Sequence, residues 1–367
     1  MGVGNRLFGY ARWDGHYGNV MESAPRGGVC LPRMNSSEFR LRRRGFLKGV
    51  GTAAADLLLD GAGPGTLHGL CAEAGSAGPC PSIDTHIHVY DPTRAQGVPW
   101  PPKDLDVLYS PHLPARFVSL TERLGVVGAV VVEASPWVED NQWVLDIAKD
   151  NPVIVGFIGN LEVGQPQFAA QLKRFAANPL FRGLRLRGVT LPNGPREAAF
   201  ADNMKRLADR QLTLDVVGDT PILSDVLRIK RMAPHLRVVI DHLPFRQWDK
   251  EGAAAMRAAL KEVAQLPKVY IKISDVPRQI GGRLVEDPEF YRPALDALWS
   301  LFGPDRAIYG SNWPVSDLVA PYASMYKIVS TYFAGKSNAD AQKFFWKNSL
   351  AAYSWVPRGK AASLVPK

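Results

Sequence analysis

No cysteine follows Cys80 in this chain of 367 residues; the three present are Cys30, Cys71 and Cys80. That scarcity excludes a disulfide framework and a thiolate metal site in the body of the chain. A thiol-free domain also suits an oxidising compartment. No Gly-x-Gly-x-x-Gly loop follows the first apolar run, which argues against a dinucleotide-binding sheet. The formal net charge is +9, yet no run of Lys and Arg stands beyond the N-terminal tail. A nucleic-acid binder would gather such charge into a stripe. No nucleic-acid partner is therefore expected, and the dispersed charge fits mild attraction for small anions. The Gly/Ala/Leu segment at 49–70 is too short and too polar to span a membrane, being interrupted by Asp56 and Asp60.

What remains is globular: 46% hydrophobic and 22% charged residues, enough for a large core. Residues 1–80 read as an extension and 81–367 as a single domain. Within the extension, Arg43-Arg44-Gly45-Phe46-Leu47-Lys48 resembles a twin-arginine export signal, and Ala72-Glu73-Ala74 offers an A-x-A-like cleavage site. Two departures are Arg42, where such signals usually carry Ser or Thr, and the two Asp in the apolar segment. Met34 is the expected start, the export machinery an expected partner, and the periplasm the expected destination.

The domain opens on Ile83-Asp84-Thr85-His86-Ile87-His88-Val89-Tyr90, where apolar and polar residues alternate as in a strand. Side chains at i and i+2 share a strand face. Asp84, His86 and His88 are therefore expected to point one way, and paired imidazoles can bind a divalent metal or hold a substrate oxygen. Seven further apolar β-rich runs follow: 126–134, 153–161, 181–189, 212–217, 236–243, 269–276 and 307–312. Helical spacing separates them at 141–149, 167–176, 197–210, 222–231 and 252–265. Eight alternating units imply parallel strands and close most naturally into a (β/α)8 TIM barrel, with a doubly wound open sheet as runner-up. The Pro- and aromatic-rich loop 91–112 would wall the pocket at the C-terminal rim. Residues 339–353 read as one amphipathic helix burying Phe344, Phe345, Trp346, Leu350 and Tyr353.

Barrel chemistry sits at strand C-termini. These ends supply His86, His88, Glu133, Arg185, Arg187, Asp215, Asp241, His242, Lys272, Ser274 and Asn312. Strand parity gives Asp241 and Arg187 the reading of ordinary polar strand caps.

Asp84-Thr85-His86-Ile87-His88, Asp241-His242-Leu243-Pro244 and Tyr309-Gly310-Ser311-Asn312-Trp313-Pro314 resemble the amidohydrolase-related superfamily, most closely its branch of sugar lactonases and 2-pyrone-4,6-dicarboxylate lactonase. The likeness runs from about Pro81 to about Trp355. It implies a (β/α)8 barrel, hydrolysis at a carbonyl centre, commonly of a lactone, and an active site lined by His86, His88 and His242. Two departures matter. The family's fifth-strand metal-ligating His has no counterpart in Leu212–Val217, and Asn312 stands where the superfamily usually has Asp. An amide is neither a base near neutral pH nor a strong ligand. His86, His88 and His242 would then hold at most one weakly bound divalent metal, zinc first, or none.

With Asn312 unable to activate water, Glu133, Asp215 or a strand-end His is left as the base. His86, His88 and Lys272 would donate to the oxyanion, and Arg185 and Arg278 would hold a carboxylate of a small anionic or sugar-derived substrate. Two competing readings are a decarboxylase of an unsaturated carboxylic acid, which Asn312 disfavours, and a non-catalytic ligand-binding barrel, which Asn312 favours.

Overall fold

The β-branched runs form strands, and each is followed by a helix, as period and composition require. A computed structural model describes residues 80–188, 191, 195–242 and 252–365. In chain order these hold β1 (Ser82–Ile87), α1 (Pro114–Thr121), β2 (Val126–Val132), α2 (Asp140–Asp150), β3 (Ile154–Gly159), α3 (Phe168–Phe175) and β4 (Phe181–Arg187). Next come α4 (Pro195–Asp209), β5 (Thr213–Val217), α5 (Ile222–Met232), β6 (Arg237–Ile240), α6 (Ala253–Val263) and β7 (Val269–Ile273). A small hairpin, β8 (Gln279–Ile280) and β9 (Arg283–Leu284), precedes α7 (Pro288–Phe302), β10 (Ala307–Tyr309) and α8 (Tyr322–Ala334). The last helices are α9 (Asn338–Gln342) and α10 (Asn348–Tyr353). The twin-arginine stretch, Met34, Ala72–Ala74 and the Leu243-Pro244 pair lie outside the described residues.

Strands β1 to β7 and then β10 pair in parallel in that order. The first and last meet where Ile87 bridges Trp313, the Asn312 amide donates to the His86 carbonyl at 2.8 Å and the His88 amide to the Trp313 carbonyl at 2.8 Å. Sequential order with closure is a (β/α)8 barrel; a doubly wound sheet would reverse its order at a switch point.

Alternation sorts side chains into two layers. Val131, Leu184, Leu214, Ile240 and Ile271 pack outward under the helices. Ile83, Val130, Val132, Val155, Ile158, Val239, Tyr270 and Ile308 fill the barrel. Ala352, Tyr353 and Trp355 join that inner layer, so α10 and the residues just after it plug the barrel floor. Backbone carbonyls of α10 are met by residues at strand starts: Thr213 Oγ1 donates to Ala352 O at 2.6 Å and Arg182 Nε to Tyr353 O at 3.0 Å. The single helix expected at 339–353 is interrupted by a π turn at Lys343–Lys347. The widened turn places the adjacent Phe344 and Phe345 both in the core, which a regular helix would splay. Trp346 and Leu350 are partly buried against the inner layer.

One parity expectation is corrected. Asp84 does not share the inner face with the histidines. Its Oδ1 accepts from the His86 and Ser311 amides at 3.0 and 2.9 Å, and its Oδ2 from Tyr322 Oη on α8 at 2.9 Å. The pairing register of β1 slips between Asp84 and Ile87, which breaks the simple alternation. Asp84 thus ties β1 to the segment after β10 and to an outer helix. Burial pushes its carboxyl up to about 6.

Candidate active site

His86 and His88 leave β1 at its C-terminal end, both buried. Their rings meet edge-on at 5.0 Å, and the His242 ring lies 4.3 Å from that of His86. Imidazoles from the first and sixth strands therefore gather at one mouth, as the sequence leads one to expect. His242 reaches it through a left-handed backbone, φ 59°, and Asn312 shares that conformation at φ 65°. Both conformations cost energy for a residue with a Cβ and cluster typically at functional sites.

Each imidazole is oriented by a different partner. His88 Nδ1 lies 2.9 Å from the Val132 carbonyl. A carbonyl only accepts, so Nδ1 carries the hydrogen and Nε2 keeps its lone pair. Burial, and then the Arg185 charge, pull the His88 pKa down to about 3, so the ring is neutral in ordinary buffers. His242 Nδ1 meets Ser274 Oγ at 2.8 Å. His86 lies between cations, with Lys272 Nζ 3.2 Å from Nδ1 and Arg185 Nη1 3.5 Å from Nε2. The Asn312 side chain lies beside His88, and its buried Nδ2 has no partner among the described residues. From the long loop, Trp100 sets its ring 5.7 Å from His88 and 5.2 Å from Tyr90, walling this end of the barrel.

Several expected roles do not fit the geometry. Glu133 is not an exposed base: its Oε1 takes Arg185 Nε at 2.7 Å and Arg187 Nη2 at 2.8 Å. That oxygen is engaged by two guanidinium groups. Arg185 is spent in the same clamp, with Nη2 also on the Glu133 carbonyl at 2.6 Å, so it has little left for a substrate carboxylate. Lys272 is fully buried, its Nζ 2.8 Å from both Asp215 and Asp241 and 3.2 Å from His86 Nδ1, so each of its three hydrogens faces a partner inside the protein rather than a substrate oxyanion. Asp215 accepts from Tyr353 Oη of the floor plug at 3.0 Å and faces Lys272, so it sits beneath the mouth rather than on a substrate. Burial and the neighbouring Asp241 raise its pKa despite Lys272. Arg278 Nη1 donates to the Asp275 and Pro277 carbonyls at 2.9 Å, bracing its own loop.

Two residues were missed. Asp241 points inward, its Oδ1 3.6 Å from His86 Nδ1. Val239, two residues earlier, lies in the inner layer and carried the signal. Arg187 also faces inward, and its half-exposed side chain lies at the mouth beside Glu133. Its period-two relation to Arg185 was the cue.

The cluster able to hold a metal differs in one member from the expected His86, His88 and His242. Among the described residues, His86, Asp241 and His242 bring one ligand atom each to within 4.8 Å of one another. Two imidazoles and a carboxylate suit a divalent ion. His88 is not one of these three residues.

The amidohydrolase family model matches residues 83–355. L-fucono-1,5-lactonase of Burkholderia ambifaria is 29% identical over 244 residues, 65% of this chain and 82% of that protein. L-fucono-1,5-lactonase of Burkholderia multivorans is 26% identical over 302 residues, 77% of this chain and 98% of that one. A crystal structure of an amidohydrolase from Burkholderia multivorans with bound zinc superposes with a TM-score of 0.66 at 25% identity, covering 75% of this chain and 99% of that chain.

Proposed function

The chain belongs to the amidohydrolase family, and from that premise we propose that its barrel hydrolyses the ring ester of a small lactone, sugar-derived or anionic. Sugar-lactonase relatives covered over most of their length support the substrate class. The observation that carries the mechanism is the His88 Nδ1 bond to Val132 O, because it aims an unprotonated Nε2 away from the strand.

The attacking water gives its proton to His88 Nε2 as its oxygen closes on the lactone carbonyl carbon. Charge gathers on the carbonyl oxygen, where the unpartnered Nδ2 of Asn312 donates to it. The ring C–O bond then breaks, and His88 returns the proton to the leaving oxygen, giving the open hydroxy acid. Arg187, half exposed at the mouth, binds substrate hydroxyl or carboxylate oxygens while Glu133 fixes its angle. A divalent ion would be held by His86, Asp241 and His242, and when bound it would polarise the carbonyl and acidify water.

Glu133 then acts through the arginines. Glu133→Gln is expected to raise KM for an anionic lactone at least tenfold and to lower kcat by less, in steady-state assays. A loss confined to kcat would return Glu133 to the role of base.

The extension is read as an export signal on the strength of Arg43-Arg44-Gly45-Phe46-Leu47-Lys48. N-terminal sequencing of protein from the native host should begin just after Ala74. A mature chain that retains Arg12 or Arg26 would refute both the signal and a start at Met34.

A further inference from the structure

The barrel's centre holds two fully buried carboxylates, Asp215 and Asp241, and one ammonium, Lys272, that touches both at 2.8 Å. The same ammonium is 3.2 Å from His86 Nδ1. Two of the three residues able to ligate a metal are thus already turned toward a cation supplied by the chain. We propose that Lys272 Nζ is the resident cation of the His86–Asp241–His242 cluster, and that a divalent metal gains full hold there only by displacing it.

Three physical points support this. An imidazole nitrogen has a single lone pair, which either accepts a hydrogen from an ammonium or binds a metal. At His86, Lys272 stands at Nδ1 and Arg185 at Nε2, so whichever nitrogen bears the lone pair faces a positive group. Charge balance points the same way. The lysine offsets part of the negative charge of the two aspartates, and a dication added beside it would meet repulsion in a medium of low dielectric. The backbone is also shaped to admit the lysine. A Cβ on Gly310 would lie 3.0 Å from His86 Cβ and 3.2 Å from Lys272 Cγ and Cδ, so a side chain there would press on both His86 and the lysine arm.

Lys272→Met keeps an unbranched arm one atom shorter and removes its charge. Full-length wild-type and variant proteins, stripped with a chelator, would be titrated with zinc in competition with a chromophoric chelator. Zinc protection against thermal unfolding would be followed in parallel. The variant should take up one zinc at least tenfold more tightly than wild type and gain the larger rise in Tm. Should the unneutralised aspartates prevent folding, the pair Asp215→Asn with Lys272→Met removes one of those charges and leaves all three ligands. It should show the same tightening. Equal zinc affinity with and without the lysine overturns the proposal, as does wild-type protein that keeps one equivalent of zinc through exhaustive dialysis. The readout uses no substrate, so either result leaves the proposed lactone hydrolysis to its own tests.

Discussion

His88→Asn should lower kcat about a thousandfold with little change in KM, within the range for loss of a positioned proton acceptor. The new amide can still donate to the Val132 carbonyl, so the strand end stays paired while the acceptor is lost. The same variant carries a stability signature. The folded His88 pKa is depressed to about 3, against an ordinary value near 6.5. Between those values the unfolded chain binds a proton that the folded chain refuses. The stability His88 contributes is thus complete above pH 6.5 and is lost as pH falls toward 3. Asp84, raised to about 6, works in the opposite sense: its contribution is complete below pH 4 and is lost as pH rises through 6. Subtracting the variant from the wild type isolates the histidine. By urea denaturation, the wild-type advantage should shrink by about 3 kcal/mol between pH 6.5 and pH 4. An advantage that is flat with pH, together with near-normal kcat, would remove His88 from the mechanism.

The second large effect is expected at Asn312. Its backbone, φ 65°, is one glycine adopts freely, so Asn312→Gly deletes the amide without adding strain. Loss of one preorganised donor costs about 3 kcal/mol, so kcat should fall by roughly two orders of magnitude. Asn312→Asp tolerates the same backbone but puts a carboxylate where negative charge must grow, and should also be impaired. If instead the Asp variant gains activity over an inert parent, the barrel is a ligand binder whose chemistry has eroded, and the hydrolase reading fails.

The strands were legible because β-branched runs at regular intervals have one reading, and their C-terminal residues gather where the fold requires. What was hidden depends on local departures from period two. Asp84 was placed with the histidines because a register slip in β1 leaves no mark on composition. Asp241 and His242 are neighbours, and neighbours in a strand face opposite sides. The left-handed turn at His242 is what turns both toward His86. Ion pairing was equally invisible. That Glu133 is clamped by Arg185 and Arg187, and that Lys272 joins Asp215 to Asp241, depends on which strands stand side by side. Four residues expected to meet substrate, Glu133, Arg185, Lys272 and Asp215, turn out to hold one another.

The floor plug has a consequence for biosynthesis. Tyr353, 138 residues downstream of Asp215, supplies a hydroxyl to its carboxylate. While the ribosome is still translating α7 or α8, that carboxylate has no such donor, and the barrel's lower opening is unsealed. A nascent polypeptide stalled there would leave the Lys272 charge cluster open to water from below, so the catalytic end can reach its final electrostatics only after the closing segment has been made.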